Sequence, residues 1–269
     1  MHITMTPAQA VRADAYFQAQ CGLSFQQLIA PIDASAPAGH SLRHTPVYAA
    51  IAQARQHDDA SLPMGGWESD LKRADWPRVA SLAAQALAHN SKDLQLAAWL
   101  LQAQLERTGF DALAPGLELM RQLCTHYWDT LHPVLPDGDV EQRANIFRWM
   151  NEKLLPSIRL LSLTQGGRTG DFSWADWEQA RHKQALKAAA GAQEGPDTAQ
   201  FLAVLRGTPA PFHHALQDSI DAALARLQAL DASLAQCFGT EAHSLQTLTA
   251  LLHGIQALLA AELRARSAA

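Results

Sequence analysis

The chain has 269 residues, 48% hydrophobic and 17% charged, with a formal net charge of −5. That balance supports a buried core rather than a disordered chain, and the acidic sign, without any run of Lys or Arg, excludes the basic stripe that a nucleic-acid backbone requires. No apolar stretch approaches the roughly 20 residues that span a bilayer, and the N-terminus lacks a basic region ahead of an apolar core, so a cytoplasmic protein is expected.

Apolar residues recur at three- and four-residue intervals and β-branched runs are missing, which predicts an all-α fold. Thr6-Pro7 opens a helix through Val11, Ala15 and Phe17 that Gly22 ends, and a second short helix over 23–30 stops at Pro31. A loop rich in Pro, Gly, Ser and Asp follows, then Thr45-Pro46 repeats the opening signal ahead of Val47, Ala50 and Ile51. After a further loop over 57–66, Asp75 is placed to cap a helix with Pro77 in its first turn and Val79, Leu82, Ala83, Ala86 and Leu87 on one face.

Ser91 is read as the cap of the next helix, where Leu94, Ala97, Ala98, Leu101 and Leu105 share a face and Gly109 supplies the stop. Asp111 begins a third, through Leu117, Met120, Leu123, Cys124 and Tyr127. Short joints between such helices predict antiparallel neighbours in a multi-helix bundle. A turn at Pro133, Pro136, Asp137 and Gly138 leads to a long helix from about Val140 to Leu161, kinked near Pro156.

The flexible composition of 164–171 predicts a boundary. The expected division is an N-terminal helical domain over 1–165, with 1–20 as an extra helix, a linker over 166–172, and a smaller helical region over 173–269. Ser173 and Asp176 form a capping-box pattern opening a helix to about residue 189, and 191–196 is a second weak linker. Leu216, Ile220, Ala223, Leu227, Leu230, Leu234 and Cys237 alternate by four and three, as do Leu245, Leu248, Leu252, Ile255 and Leu259. This seam predicts an αα-hairpin over 209–266 that closes on itself, packs on the N-terminal domain, or pairs with a second copy into a homodimer.

Little in the chain points to reaction chemistry. Cys21, Cys124 and Cys237 have no metal-cage or redox spacing, and the 12 histidines include no HExxH. His40 with His44, and His126 with His132, come nearest to a ligand set, while the adjacent His213 and His214 point to different helix faces. No GxSxG elbow, phosphate-binding loop or dinucleotide fingerprint occurs, and the pairs Gly65-Gly66 and Gly166-Gly167 read as turn glycines. Acid pairs such as Asp58-Asp59, Glu68 with Asp70 and Asp137 with Asp139 lie in loops or at helix starts. With no nucleophile, base and electrophilic stabiliser to name, an enzyme is not expected and no cofactor is implied. Two other readings stand beside this one: a small-molecule- or metal-binding helical domain using His40, His44 and Asp58-Asp59, and a dimeric helical adaptor built on the hairpin.

Tryptophan carries the stronger signal, since Trp67, Trp76, Trp99, Trp128 and Trp149 spread over successive elements of the first domain. Trp76, Trp99 and Trp149 are expected in the core, whereas Trp67, in a Gly-rich loop, is expected to be presented to a partner.

The block from Leu62, Pro63, Met64, Gly65, Gly66 and Trp67 to Ala74, Asp75, Trp76 and Pro77 resembles the loop-and-helix signature of the ImpA-type N-terminal domain of TssA proteins, assembly components of the bacterial type VI secretion apparatus. The likeness continues through Ser91-Lys92-Asp93-Leu94 to Trp99-Leu100, then Gly109-Phe110, Tyr127-Trp128-Asp129-Thr130-Leu131-His132-Pro133, Arg143-Ala144-Asn145 and Trp149-Met150-Asn151-Glu152, covering about 28–165. It departs at Pro37-Ala38-Gly39-His40-Ser41-Leu42, where the family often has an acidic pair. A weaker likeness to the TssA middle region appears at Phe238-Gly239 and Ser244-Leu245. The resemblance implies a non-enzymatic assembly factor that contacts baseplate, tube or sheath proteins, with the hairpin as arm or dimerisation element. It also leads us to expect that the family's ring-forming C-terminal domain is absent from these 269 residues.

Overall fold

Side chains that bond to their own backbone start most of the helices, as the sequence suggests. The structure is a computed structural model describing residues 6–56, 72–135, 139–167, 170–187, 197–239 and 245–267. The described residues are helical with isolated bridges between extended segments, an all-α fold.

Helix α1 (Pro7–Cys21) buries Ala13 and Phe17 and leaves Val11 and Ala15 on the solvent side. Ser24 and Gln27 form a reciprocal capping box on α2 (Phe25–Ile29), and Thr45 caps α3 (Pro46–Ala54). Asp75 accepts from the Arg78 amide at 3.0 Å to start α4 (Trp76–His89).

The next cap differs from expectation. Asp93, not Ser91, caps α5 (Leu94–Thr108), accepting from the amides of Gln95 and Leu96 at 2.8 and 3.2 Å. Ser91 is held extended in a bridge to Gly39, so the chain turns into the helix only two residues later. A single 3₁₀ turn over Gly109–Ala112 then contains Asp111, which therefore precedes rather than begins α6 (Leu113–Tyr127). Helix α5 is buried on nearly every side and forms the axis of the bundle, packed by α4, α6 and α7 (Glu141–Leu160). Gly116 allows α6 to approach closely, since a Cβ there would lie 2.5 Å from Leu101 Cδ1.

Of the stretch expected as a linker, residues 168 and 169 lie outside the described residues. On either side of them the chain is tied back on itself: the Leu163 amide donates to Phe172 O at 2.7 Å, and Ser162 bridges Ser173. The Ser173 and Asp176 capping box is present at the start of α8 (Trp174–Lys187). Helix α9 (Thr198–Gly207), absent from the sequence expectations, is capped by Asp197 and stacks Phe201 against Phe172 and Trp177.

Helices α10 (Ala210–Phe238) and α11 (Gln246–Ser267) form the hairpin. Leu216, Ile220, Leu227, Leu234, Leu245, Leu248, Leu252, Ile255 and Leu259 are all buried within the one chain. Helix α10 packs most extensively on α6 and also on α11, so the seam serves both neighbours. At the α6–α10 contact the Glu118 carboxylate, itself buried, accepts from Arg121 at 2.6 Å and from Arg226 at 3.1 Å. Apolar side chains from Ala13 to Leu259 form a continuous core.

Candidate functional site

Ser91, Lys92, Asp93 and His132 of the signature meet in a belt of extended backbone across one end of the bundle. Segments around 38–40, 90–93 and 131–132 run side by side. The Lys92 amide donates to Ala38 O at 2.7 Å, His132 N to Lys92 O at 2.9 Å, and Leu94 N to His132 O at 2.8 Å. Gly39 has φ of +67°, and a Cβ on it would fall 2.1 Å from Asn90 O, so only glycine fits this crossing.

Two buried cations bind main-chain carbonyls rather than carboxylates. Lys92 Nζ donates to Leu28 O at 2.8 Å and Leu87 O at 2.6 Å, carbonyls in the last turns of α2 and α4, where helices lack internal donors. Arg143 is fully buried and donates to Pro133 O at 2.9 Å and to the carbonyls of Trp128 and Leu131, with its guanidinium 4.6 Å from the centre of the Trp128 ring. Burial pulls Lys92 down to about 8 and lowers Arg143 from its ordinary range. Tyr127 donates to Ile29 O at 2.7 Å, and His132 Nε2 lies 3.2 Å from Gly39 O. The His132-Pro133 bond is cis. These contacts fix chain path; none presents a reactive group.

The tryptophans divide. Trp99 is buried, whereas Trp76, Trp128 and Trp149 are half-buried, so the expectation of core placement is met in full only at Trp99. The Arg55 guanidinium lies 4.8 Å from the Trp99 ring and 5.0 Å from that of Trp149, and donates to Gln102 Oε1. Tyr48 packs on the other part of this ladder, 4.7 Å from Trp99. Ala74 is half-buried; Leu62, Pro63, Gly65 and Trp67 lie outside the described residues.

Beside the ladder is a cavity of about 330 Å³ whose walls include Arg43, Tyr48, Asp93, Gln95, Pro133 and Trp149. The signature thus contributes Asp93, Pro133 and Trp149 to one pocket. Arg43, Tyr48 and Gln95 were missed; Gln95 sits inside the recognised helix segment, but nothing in sequence marks Arg43 or Tyr48 as its neighbours.

The candidate metal ligands are not brought together. His40 and His44 are exposed, His126 Nδ1 is 2.9 Å from Gln122 O, and Asp58 and Asp59 lie outside the described residues. Among the described residues no three His, Cys, Asp or Glu side chains cluster for a metal ion. Burial raises all three thiols, Cys124 most of all, which favours their protonated form.

Comparison with known proteins places this architecture. The model of the ImpA N-terminal, type VI secretion system family matches residues 29–152. The solved N-terminal domain, including the conserved ImpA_N region, of the TssA component of the type VI secretion system from Burkholderia cenocepacia is 30% identical, with a TM-score of 0.78 over 90% of this chain and 94% of that one. The chain belongs to the TssA family. It is a component of the type VI secretion system. The type VI secretion system component TssA1 of Pseudomonas aeruginosa is 37% identical over 118 residues, 42% of this chain and 32% of that relative. The chain therefore spans about a third of the length of this curated TssA relative. No described helix is long and apolar enough to cross a membrane.

Proposed function

We propose that this TssA-family chain is a non-enzymatic assembly component that binds baseplate, tube or sheath proteins while the contractile tail is built in the cytoplasm. The observation that carries this reading is the use made of the signature's polar side chains. Lys92 and Arg143 direct their donors to main-chain carbonyls, and Asp93 accepts from helix amides, so the signature builds a rigid surface rather than a reaction centre. The division at 166–172 belongs to the same proposal: residues 1–165 carry the partner-facing surface and 173–269 brace it through the α6–α10 contact.

Pull-down with the purified chain tests this against separately expressed sheath, tube and baseplate proteins. Retention of at least one in stoichiometric amount is expected, and retention of none overturns the proposal.

A further inference from the structure

We propose that the 330 Å³ pocket beside the signature belt receives an Asp or Glu carboxylate on a segment of a secretion-system partner. This rests on the assembly reading above and adds the surface and the chemistry recognised.

The pocket is rich in hydrogen-bond donors. Gln142 Oε1 accepts from Arg43 at 3.2 Å and Asn145 Oδ1 accepts from Arg148, so both lining amides keep their N–H groups for another partner. Gln95 Nε2 is buried and has no partner at all. The Tyr48 phenol, pushed up to about 12 by burial, stays a donor at neutral pH, and Arg43 retains further guanidinium N–H groups. Asp93 is the lining's carboxylate, and its Oδ1 is committed to the amides of Gln95 and Leu96. Unused donors therefore outnumber unused acceptors in this lining.

A carboxylate suits it better than a cation. Although Tyr48 and Trp149 are aromatic walls of the kind that hold cations, Arg55 already lies on the Trp149 ring and Arg43 lines the pocket. An incoming ammonium would meet two guanidinium groups against the single Asp93 carboxylate, whereas a carboxylate gains charge-assisted bonds from Arg43.

The probe is the peptide acetyl-Leu-Glu-Leu-Val-amide, with its Gln and Lys analogues, titrated against the isotope-labelled chain by nuclear magnetic resonance. The Glu peptide is expected to shift the Gln95 side-chain amide and the Trp149 indole N–H saturably. The Gln analogue, and the Glu peptide on the R43A or Q95L variant, are expected to bind about tenfold more weakly, a loss equivalent to about 1.4 kcal/mol. Far-ultraviolet circular dichroism confirms that both variants stay folded. Equal or tighter binding by the Lys analogue, or no saturable shift by about 10 mM Glu peptide, overturns the pocket assignment. A pull-down that retains secretion proteins equally on wild type and R43A overturns the pocket while leaving the assembly reading intact; loss of retention by wild type itself strikes the assembly reading.

Discussion

Lys92 holds α2 and α4 together with a single ammonium, and its burial makes that arrangement sensitive to both substitution and pH. Replacement by Met fills the volume but leaves the Leu28 and Leu87 carbonyls buried without a donor, so K92M is expected to lose about 3 kcal/mol in urea denaturation. The pH dependence has a definite sign. Burial lowers Lys92 from 10.5 to about 8, so between these values the unfolded chain binds the proton that the native chain releases, and stability rises with pH. The phenols of Tyr16 and Tyr48, raised to about 12, act in the opposite direction at higher pH, but they are common to wild type and variant. The stability gap between wild type and K92M is therefore expected to widen by about 1 kcal/mol from pH 7 to pH 9. A constant gap would show that Lys92 is not desolvated as described. Gly39 makes a sharper case, because a Cβ at 2.1 Å from Asn90 O would act on a backbone already at φ of +67°. G39A is expected to cost more than about 3 kcal/mol in the same assay; a loss below 1 kcal/mol would mean that the crossing of 39 over 90 is not rigid.

At the scale of elements, the contact of α10 with α6 depends on Glu118. Burial alone would raise this carboxyl, but bonds from Arg121 and Gln122 and the charge of Arg226 hold it below its ordinary range. E118L removes the one carboxylate between two buried guanidinium groups, and about 3 kcal/mol or more is expected to be lost, seen as a lower urea midpoint. R226M, which removes a cation and leaves the Glu118–Arg121 pair, is expected to cost less; the reverse order would refute this account of the junction. The junction also shows where sequence reading stops. Caps at Thr45 and Asp75 were legible because they bond within three residues, and the hairpin because its heptad-like spacing is local. Ser91 was mistaken for a cap because its extended conformation is set by Gly39, 52 positions earlier in the chain. Helix α9 was missed because only Phe201 and Leu205 of its ten residues are buried, too few to show a period. The pocket draws on four separate segments, and no spacing rule links Arg43 to Gln142.

For the molecule as a whole, the question is whether the proposed functional division is also a thermodynamic one. The core runs without interruption from Ala13 in α1 to Leu259 in α11, and α10 shares its seam between α6 and α11. Removing 173–269 would expose the α6 face that α10 covers and leave Glu118 with Arg121 and Gln122 but without Arg226, while the hairpin by itself has too little area to close a core. The two parts should therefore unfold together. Calorimetry on the full chain is expected to give a single transition with equal calorimetric and van't Hoff enthalpies, and E118L should shift that transition as one unit without splitting it. Two resolved transitions, or a 1–165 fragment that melts at the full-chain temperature, would show that the hairpin is an appended arm. Coupled unfolding instead means that a partner bound at the pocket stabilises the hairpin as well, because any ligand that binds only the native state raises the stability of the whole cooperative unit.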